Sequence, residues 1–253
     1  MDDQRYAYLS NSIEYSIGFF VKYVSKCDIT QYFDISISED IKNDAENLNR
    51  SKMINLDDFD GVTIIPFEKN EKIHVLISSN TDCPIETTIH ELVHVYDFIL
   101  FGKNFCNSEL YQIRKHRSFK YFSFWSEFHA KTIEIPCVYF MQDILNKTPE
   151  NQILLSLKTD IKEKNYEHYN KKLLENTQAN IRDLMYYLGE LHNCNTYDNE
   201  NNYPIPQEIK NRYGAEQVEE LNDILSTCST FEEFLHHNQI LYDYFEKISS
   251  DSL

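Results

Sequence analysis

Apolar residues recur at helical spacing along most of the chain, separated by polar and acidic positions. In residues 11–26, the isoleucine, phenylalanine and valine side chains fall on one face of a helix. The pattern predicts further helices at residues 38–49, 84–101, 118–145, 149–163, 165–192, 206–212, 214–227 and 230–248. The polar stretch 193–204 is predicted to be a loop.

Three residues mark where two of these helices should begin, bend or end. Pro84 suits the first turn of a helix, and Gly102 suits the position just after its end. Pro136 lies well inside the segment 118–145, where its ring and missing N–H should kink or restart the helix.

Two β-branched runs precede the helix that begins at Pro84. Residues 61–67 and 72–78 are joined by the polar segment 68–71, and this order predicts a hairpin. Residues 28–60 are mixed and acidic, and outside the short helix they are predicted to be loops. The chain is therefore predicted to be α+β and mostly helical, with a core at residues 1–147 and a helical extension packed on it at 148–253.

Two histidines four residues apart lie in the middle of the helix predicted at 84–101. His90 and His94, in the sequence His-Glu-Leu-Val-His, project about 40° apart around the helix axis and can reach one small cation. Zinc binds neutral imidazole nitrogen and keeps a position for water in catalytic sites. Glu91 is rotated about 100° from His90, so its carboxylate can reach that water without binding the metal. The motif predicts a zinc site with Glu91 as general base.

A third protein ligand is expected on the next helix. Glu127 lies in an aromatic run, where a buried carboxylate is costly unless a cation pairs with it, and zinc would be such a cation. His129 is the main rival, about 200° around the helix from Glu127, so only one of the two can face the metal. His116 and Glu109 are weaker alternatives.

The HExxH motif followed by a glutamate on the next helix resembles the gluzincin group of zinc metallopeptidases. The hairpin before the motif, and Ala130 three residues after Glu127, resemble more narrowly the ImmA/IrrE-type peptidases of bacteria and mobile elements. The resemblance covers about residues 60–140 and implies a zincin-like core that contains a small antiparallel sheet or hairpin.

The resemblance also raises the question of which residue orients the ligand histidines. Thermolysin-like members have an aspartate four residues after the ligand glutamate, and Lys131 occupies that position here. Asp97 shares a helix face with His90, so it could orient a ligand histidine or pair with Lys131. In zincins the substrate lies along the strand before the motif helix, which implies a substrate strand at residues 72–78, with Lys72, His74 and Leu76 as candidates.

The net charge, the cysteines and the N-terminal residues indicate which binding partners and which cellular location to expect. The 253-residue chain has a net charge of −17, which argues against nucleic acid or an anionic membrane as a partner. The six cysteines form no CxxC pair and fit free thiols in a reducing cytosol. The acidic start and the short apolar run at 17–21 predict neither a signal peptide nor a membrane span, so a cytoplasmic protein is expected, with non-classical export as an alternative.

Together these features predict a zinc-dependent peptidase that cleaves a protein or peptide substrate. His90, His94 and Glu127 would hold the metal, while Glu91 takes a proton from the activated water and passes it to the leaving amine. One alternative is a regulatory binding protein with a zincin-like fold that holds its partner without cutting it and docks it on the C-terminal helices. The other is an exported protease toxin with the same chemistry.

Overall fold

The computed structural model describes residues 1–49, 60–146, 166–176, 180–197 and 202–251. These residues form two compact units, Met1–Arg117 and Ser118–Leu253. The boundary between the units precedes the helix that carries Glu127, whereas the division drawn from the sequence followed that helix. The prediction of a mostly helical α+β chain is confirmed. Within the described ranges, no helix has both the length and the apolar character needed to cross a membrane.

In its described residues, the first unit combines three α-helices with three short strands. Its elements are α1 (Asp3–Phe19), which continues into a π-helical turn (Phe20–Ser25), β1 (Phe33–Ser38), α2 (Ile41–Asn49), β2 (Gly61–Ile64), β3 (Ile73–Ser78) and α3 (Pro84–Phe105). Helix α1 begins well before the predicted residue 11. Its start is capped by Asp2, whose carboxylate accepts a hydrogen bond from the Arg5 N–H at 2.7 Å.

The three strands form one mixed sheet in the order β1-β3-β2. The predicted hairpin is present, because β2 pairs antiparallel with β3. Strand β1 lies in a segment predicted to be loop, and it pairs parallel with β3. The sheet is therefore mixed, whereas a small antiparallel sheet or hairpin was expected. The sequence Phe33-Asp-Ile-Ser-Ile-Ser38 does alternate apolar and polar residues, which is the period of a half-buried strand.

The two faces of the sheet pack against different helices. On one face, Ile64 and Leu76 form a buried cluster with Ile41 and Ala45 of α2. The other face lies against α3, where the hydroxyl of Thr63 on β2 meets the motif helix. Alternation along the strand thus directs Thr63 toward the histidine motif and its neighbour Ile64 away from it.

Helix α3 starts at Pro84 as predicted but does not end at Gly102. It continues to Phe105, and the Gly102 carbonyl accepts the N–H of Cys106 at 3.0 Å. A β-carbon built on Gly102 would lie 3.0 Å from Cδ2 of Leu110, in the short 3₁₀ segment Leu110–Lys115. The glycine therefore permits close packing of that segment on the helix, and the prediction that it terminates the helix was wrong.

The second unit contains helices and no strand in its described ranges. Its helices are α4 (Phe119–Asn146), α5 (Tyr166–Glu175), α6 (Ile181–Tyr197), α7 (Gln207–Tyr213), α8 (Ala215–Ser226) and α9 (Phe231–Asp251). Pro136 lies inside α4 without ending it. Helix α6 runs into the stretch predicted as a loop from residue 193, and the helix predicted at 149–163 falls outside the described residues.

Helix α4 is buried on two faces. Toward α6, the missing side chain of Gly189 allows close approach, because a β-carbon there would lie 2.6 Å from Cβ of Lys131 and 2.9 Å from the Phe128 carbonyl oxygen. On the other face, the Trp125 indole N–H donates to the Cys228 carbonyl at 3.0 Å, and its ring packs against Phe234. Phe128 and Lys131 of α4 therefore lie against α6, whereas Trp125 packs against α9.

Candidate metal centre

The two motif histidines lie together on α3. Each side chain is buried, and the two rings meet edge to face, with their Nε2 atoms 3.1 Å apart. In neutral imidazole, one ring nitrogen carries a hydrogen and the other has a free lone pair. The same two Nε2 atoms can therefore share a hydrogen bond or both face a cation if their hydrogens are on Nδ1.

Glu91 is held against strand β2. The Thr63 hydroxyl donates to Oε2 of Glu91 at 2.7 Å and lies 3.2 Å from the Glu91 carbonyl oxygen. A β-carbon on Gly61 would be 2.9 Å from Cγ and 3.0 Å from Oε1 of Glu91, so the strand backbone passes beside the side chain. The sheet thus contacts Glu91 both at a carboxylate oxygen and along its stem.

Glu127 lies in the second unit and is buried, with a relative exposure of 3%. Its Oε1 atom forms an ion pair with the guanidinium of Arg182 on α6, whose side chain is 46% exposed. A buried carboxylate at this position needs a cation, and zinc is the cation that the sequence predicts. Arg182 meets part of this need, so burial of Glu127 alone does not imply a metal.

Ligand atoms of His90, His94 and Glu127 all lie within 4.8 Å of one another, and all three residues are buried. This group could hold a metal ion. Two Zn–N bonds of about 2.0–2.1 Å at a tetrahedral angle would separate the nitrogens by roughly 3.3–3.4 Å. The observed Nε2 separation of 3.1 Å is close to that value, and two imidazoles with a carboxylate form a donor set that zinc accepts.

The rival ligands lie in other environments. The His129 ring stacks on Trp125 at a centroid distance of 4.7 Å, on the face of α4 opposite to Glu127. His116 packs against the rings of Phe101 and Phe105, and Glu109 forms an ion pair with Lys69 at 3.3 Å. Among the described residues, Glu127 is the one that joins the histidine pair.

The two residues considered for orienting the histidines, Asp97 and Lys131, are both largely buried. Asp97 is fully buried on α3. Lys131 forms ion pairs with Glu134 at 2.7 Å and with Glu190 at 3.6 Å, and its ammonium lies over the Tyr186 ring. Lys131 therefore takes part in a buried charge network between α4 and α6.

Tyr186 borders this network and remains protonated near neutral pH. Burial raises the pKa of its phenol well above the usual range, and the nearby charge of Glu127 raises the pKa further. The positive charges of Lys131 and Arg182 lower the pKa but do not offset those two effects. The phenol thus adds no negative charge beside Glu127.

The strand expected to bind a substrate, residues 72–78, is not at an edge of the sheet. Strand β3 is central, with β1 on one edge and β2 on the other, so an incoming peptide cannot pair with it. Leu76 is buried in the α2 cluster, and His74 points to the same face of the sheet. Lys72 forms an ion pair with Asp34 at 2.8 Å.

Comparisons of the chain with protein-family models, with curated proteins and with solved structures found no match.

Two contacts of the site residues were not predicted from the sequence, those of Thr63 with Glu91 and of Arg182 with Glu127. Thr63 is one of several β-branched residues in the hairpin. Arg182 lies on α6, far along the chain from Glu127 on α4. No local pattern singles out either residue.

Proposed function

We propose that this protein is a zinc-dependent peptidase whose metal ligands are His90, His94 and Glu127. The observation that carries the proposal is the convergence of three buried ligand atoms beside a glutamate that follows the first histidine. A partner held without chemistry would have no need of Glu91, whose carboxylate is fixed against β2. Zinc bound there would polarise a water molecule and lower its pKa toward neutrality.

The protein's own groups supply the proton transfers. The Glu91 carboxylate accepts a proton from the attacking water and delivers it to the amine of the cleaved bond. The two imidazoles would hold the metal in their neutral form, with hydrogens on Nδ1, and the Glu127 carboxylate would contribute one negative charge. Arg182 holds Oε1 of Glu127 and thereby limits the rotation of that carboxylate.

The outer edge of β2 is the proposed binding place for an extended substrate. The Ser78 N–H donates to the Asp60 carbonyl at 2.7 Å, and hydrogen-bonded pairs alternate along an antiparallel ladder. The backbone groups of Gly61 and Thr63 therefore point away from β3. No other strand in the described ranges pairs with that edge. A peptide added there would lie beside Glu91.

The proposed substrate is a protein or peptide, the class on which zinc sites of this kind act. Nucleic acid is not proposed, because the net charge of −17 would repel it. A reducing location such as the cytoplasm is part of the proposal. All six cysteines lie within the described ranges, and none is in a disulfide.

The test is hydrolysis of a peptide library by the zinc-loaded full chain, read by mass spectrometry of new termini. We expect cleavage that stops on chelation, returns with zinc and is absent from the His94→Ala variant. Cleavage that survives chelation and the His94→Ala change would contradict the proposal. A zinc-loaded protein that cleaves nothing would favour the binding-protein alternative.

A further inference from the structure

Strand β2 reaches Glu91 through a single side-chain hydroxyl. An ionised carboxylate can only accept hydrogen bonds, so the hydroxyl of Thr63 must be the donor in its 2.7 Å contact with Oε2 of Glu91. Both residues belong to the first unit, and Glu91 is 6% exposed. A hydrogen bond to a charged group in a buried setting is among the stronger kinds in proteins.

The strand backbone restrains the same side chain from a second direction. At Gly61, a β-carbon would lie 2.8 Å from Cγ2 of Thr87 and 2.9 Å from Cγ of Glu91. Real side-chain carbons do not approach that closely, so any larger residue at position 61 would force the Thr87 or Glu91 side chain to move. The stem of Glu91 is thus packed by the strand while one of its oxygens is held by Thr63.

We propose that Thr63 is a positioning residue for Glu91, which fixes the carboxylate through Oε2 and leaves Oε1 to exchange the proton. This inference rests on the proposed function, because it assigns Thr63 a role only if Glu91 acts as the base. A glutamate side chain has three rotatable bonds, and proton transfer needs the acceptor within hydrogen-bond reach of the donor. Thr63 reduces that freedom before the substrate arrives.

The position of Thr63 also couples the base to the proposed substrate edge. Its backbone groups face the outer edge of β2, while its side chain faces Glu91. A peptide that pairs with this edge therefore contacts the residue that holds the carboxylate. Substrate binding and base orientation would then depend on the same short strand.

The test uses three matched variants, Thr63→Val, Thr63→Ser and Thr88→Val. Valine keeps the shape of threonine but cannot donate a hydrogen bond, and serine restores the hydroxyl. Thr88 is a fully buried threonine on α3, three residues before Glu91, and no hydrogen bond of its hydroxyl is found among the described residues. Thr88→Val therefore controls for the loss of a buried hydroxyl that does not contact Glu91.

The probe is acetohydroxamic acid, which loses a proton when it binds a metal. Glu91 would accept that proton, so the affinity of the probe depends on the base as well as on the metal. Its affinity is measured on the cobalt-substituted full chain by visible absorption, together with zinc content and thermal unfolding. We expect Thr63→Val to weaken acetohydroxamate binding by about tenfold, the usual effect of losing a hydrogen bond to a charged group. Zinc content should not change, and Thr63→Ser and Thr88→Val should match the unmodified chain.

Each other outcome has a defined meaning. If Glu91→Gln weakens the probe but Thr63→Val does not, the inference is overturned and the proposed function stands. If Thr63→Val also loses zinc, or if Thr88→Val weakens the probe equally, Thr63 supports the fold and the inference is overturned. If the unmodified chain takes up no zinc, the proposed function fails, and the inference fails with it.

Discussion

The guanidinium of Arg182 forms an ion pair with the buried carboxylate of Glu127, between helices α6 and α4 of the second unit. Without a metal, this contact offsets the charge of Glu127. With a metal, the carboxylate would have two cationic neighbours. We therefore expect Arg182 to affect the stability of the metal-free protein and the change in stability when zinc is added.

We predict that Arg182→Gln lowers the stability of the metal-free protein by about 1–2 kcal/mol. Removal of one partner of a buried pair leaves an uncompensated charge, and the half-exposed position of Arg182 reduces the cost below that of a fully buried pair. Zinc would compensate the same carboxylate, so the rise in Tm on adding zinc should be larger in the variant. Thermal unfolding in excess chelator and in excess zinc measures both quantities.

Lys210→Gln is the matched control for that prediction. Lys210 forms an ion pair with Glu219 in the same unit, and Glu219 is largely exposed. Its removal should leave the zinc-induced rise in Tm unchanged. An equal or smaller rise in Arg182→Gln would show that Arg182 and zinc do not act on a shared carboxylate.

A substitution of Glu91 should separate metal binding from chemistry. Glu91→Gln should retain the zinc content of the unmodified chain and lose hydrolysis, because an amide cannot accept the water proton. Zinc analysis and the peptide-library assay on the same preparation test both halves. Hydrolysis at the parent rate would exclude Glu91 as the base, and a zinc-loaded parent chain without activity would point to the regulatory binding protein.

The third ligand is tested by comparing Glu127→Ala with His129→Ala. These residues lie on different faces of α4, so their substitutions should differ in effect. We expect Glu127→Ala to weaken zinc binding by more than the roughly 10–100-fold that loss of an outer hydrogen-bond partner costs. His129→Ala should lose stacking on Trp125 and some stability but keep zinc affinity. A zinc titration in which His129→Ala alone loses affinity would reverse the assignment.

Close packing of α6 on α4 at Gly189 gives a prediction of stability. Gly189→Ala should destabilise the protein by about 1–3 kcal/mol, because the new methyl group would overlap Lys131 and the Phe128 carbonyl. Gly18→Ala on α1 is the control, since nothing lies within 4 Å of its β-carbon position and alanine favours a helix. Urea unfolding of the two variants should move in opposite directions, and equal stability would argue against tight packing at Gly189.

The features that the sequence predicted correctly are local in the chain. Pro84 and the apolar periodicity specify α3, and the paired β-branched runs specify the β2–β3 hairpin, because each signal lies within the element it describes. The spacing of His90 and His94 likewise places both side chains on one face of α3. Glu127 was favoured over His129 because a carboxylate in an aromatic run needs a cationic partner, and the directions of the two side chains meant that only one of them could join the histidines.

The features that the sequence did not predict depend on partners distant along the chain. Strand β1 was missed although residues 33–38 alternate apolar and polar positions, because the run is short and its parallel pairing with β3 cannot be seen in that segment alone. The contacts Thr63–Glu91 and Arg182–Glu127 join separate elements, and no spacing rule identifies them. Gly102 was taken as a helix end because a glycine needed for close packing looks the same in sequence as one at a terminus.

The central claim is that His90, His94 and Glu127 hold zinc, and its most direct test is metal analysis of the full chain purified without chelator or added zinc. The claim predicts about one zinc per chain, and loss of that zinc in His90→Ala and in His94→Ala, because each change removes a ligand. A fully folded, unmodified chain that contains no zinc and takes up none at neutral pH would contradict the claim.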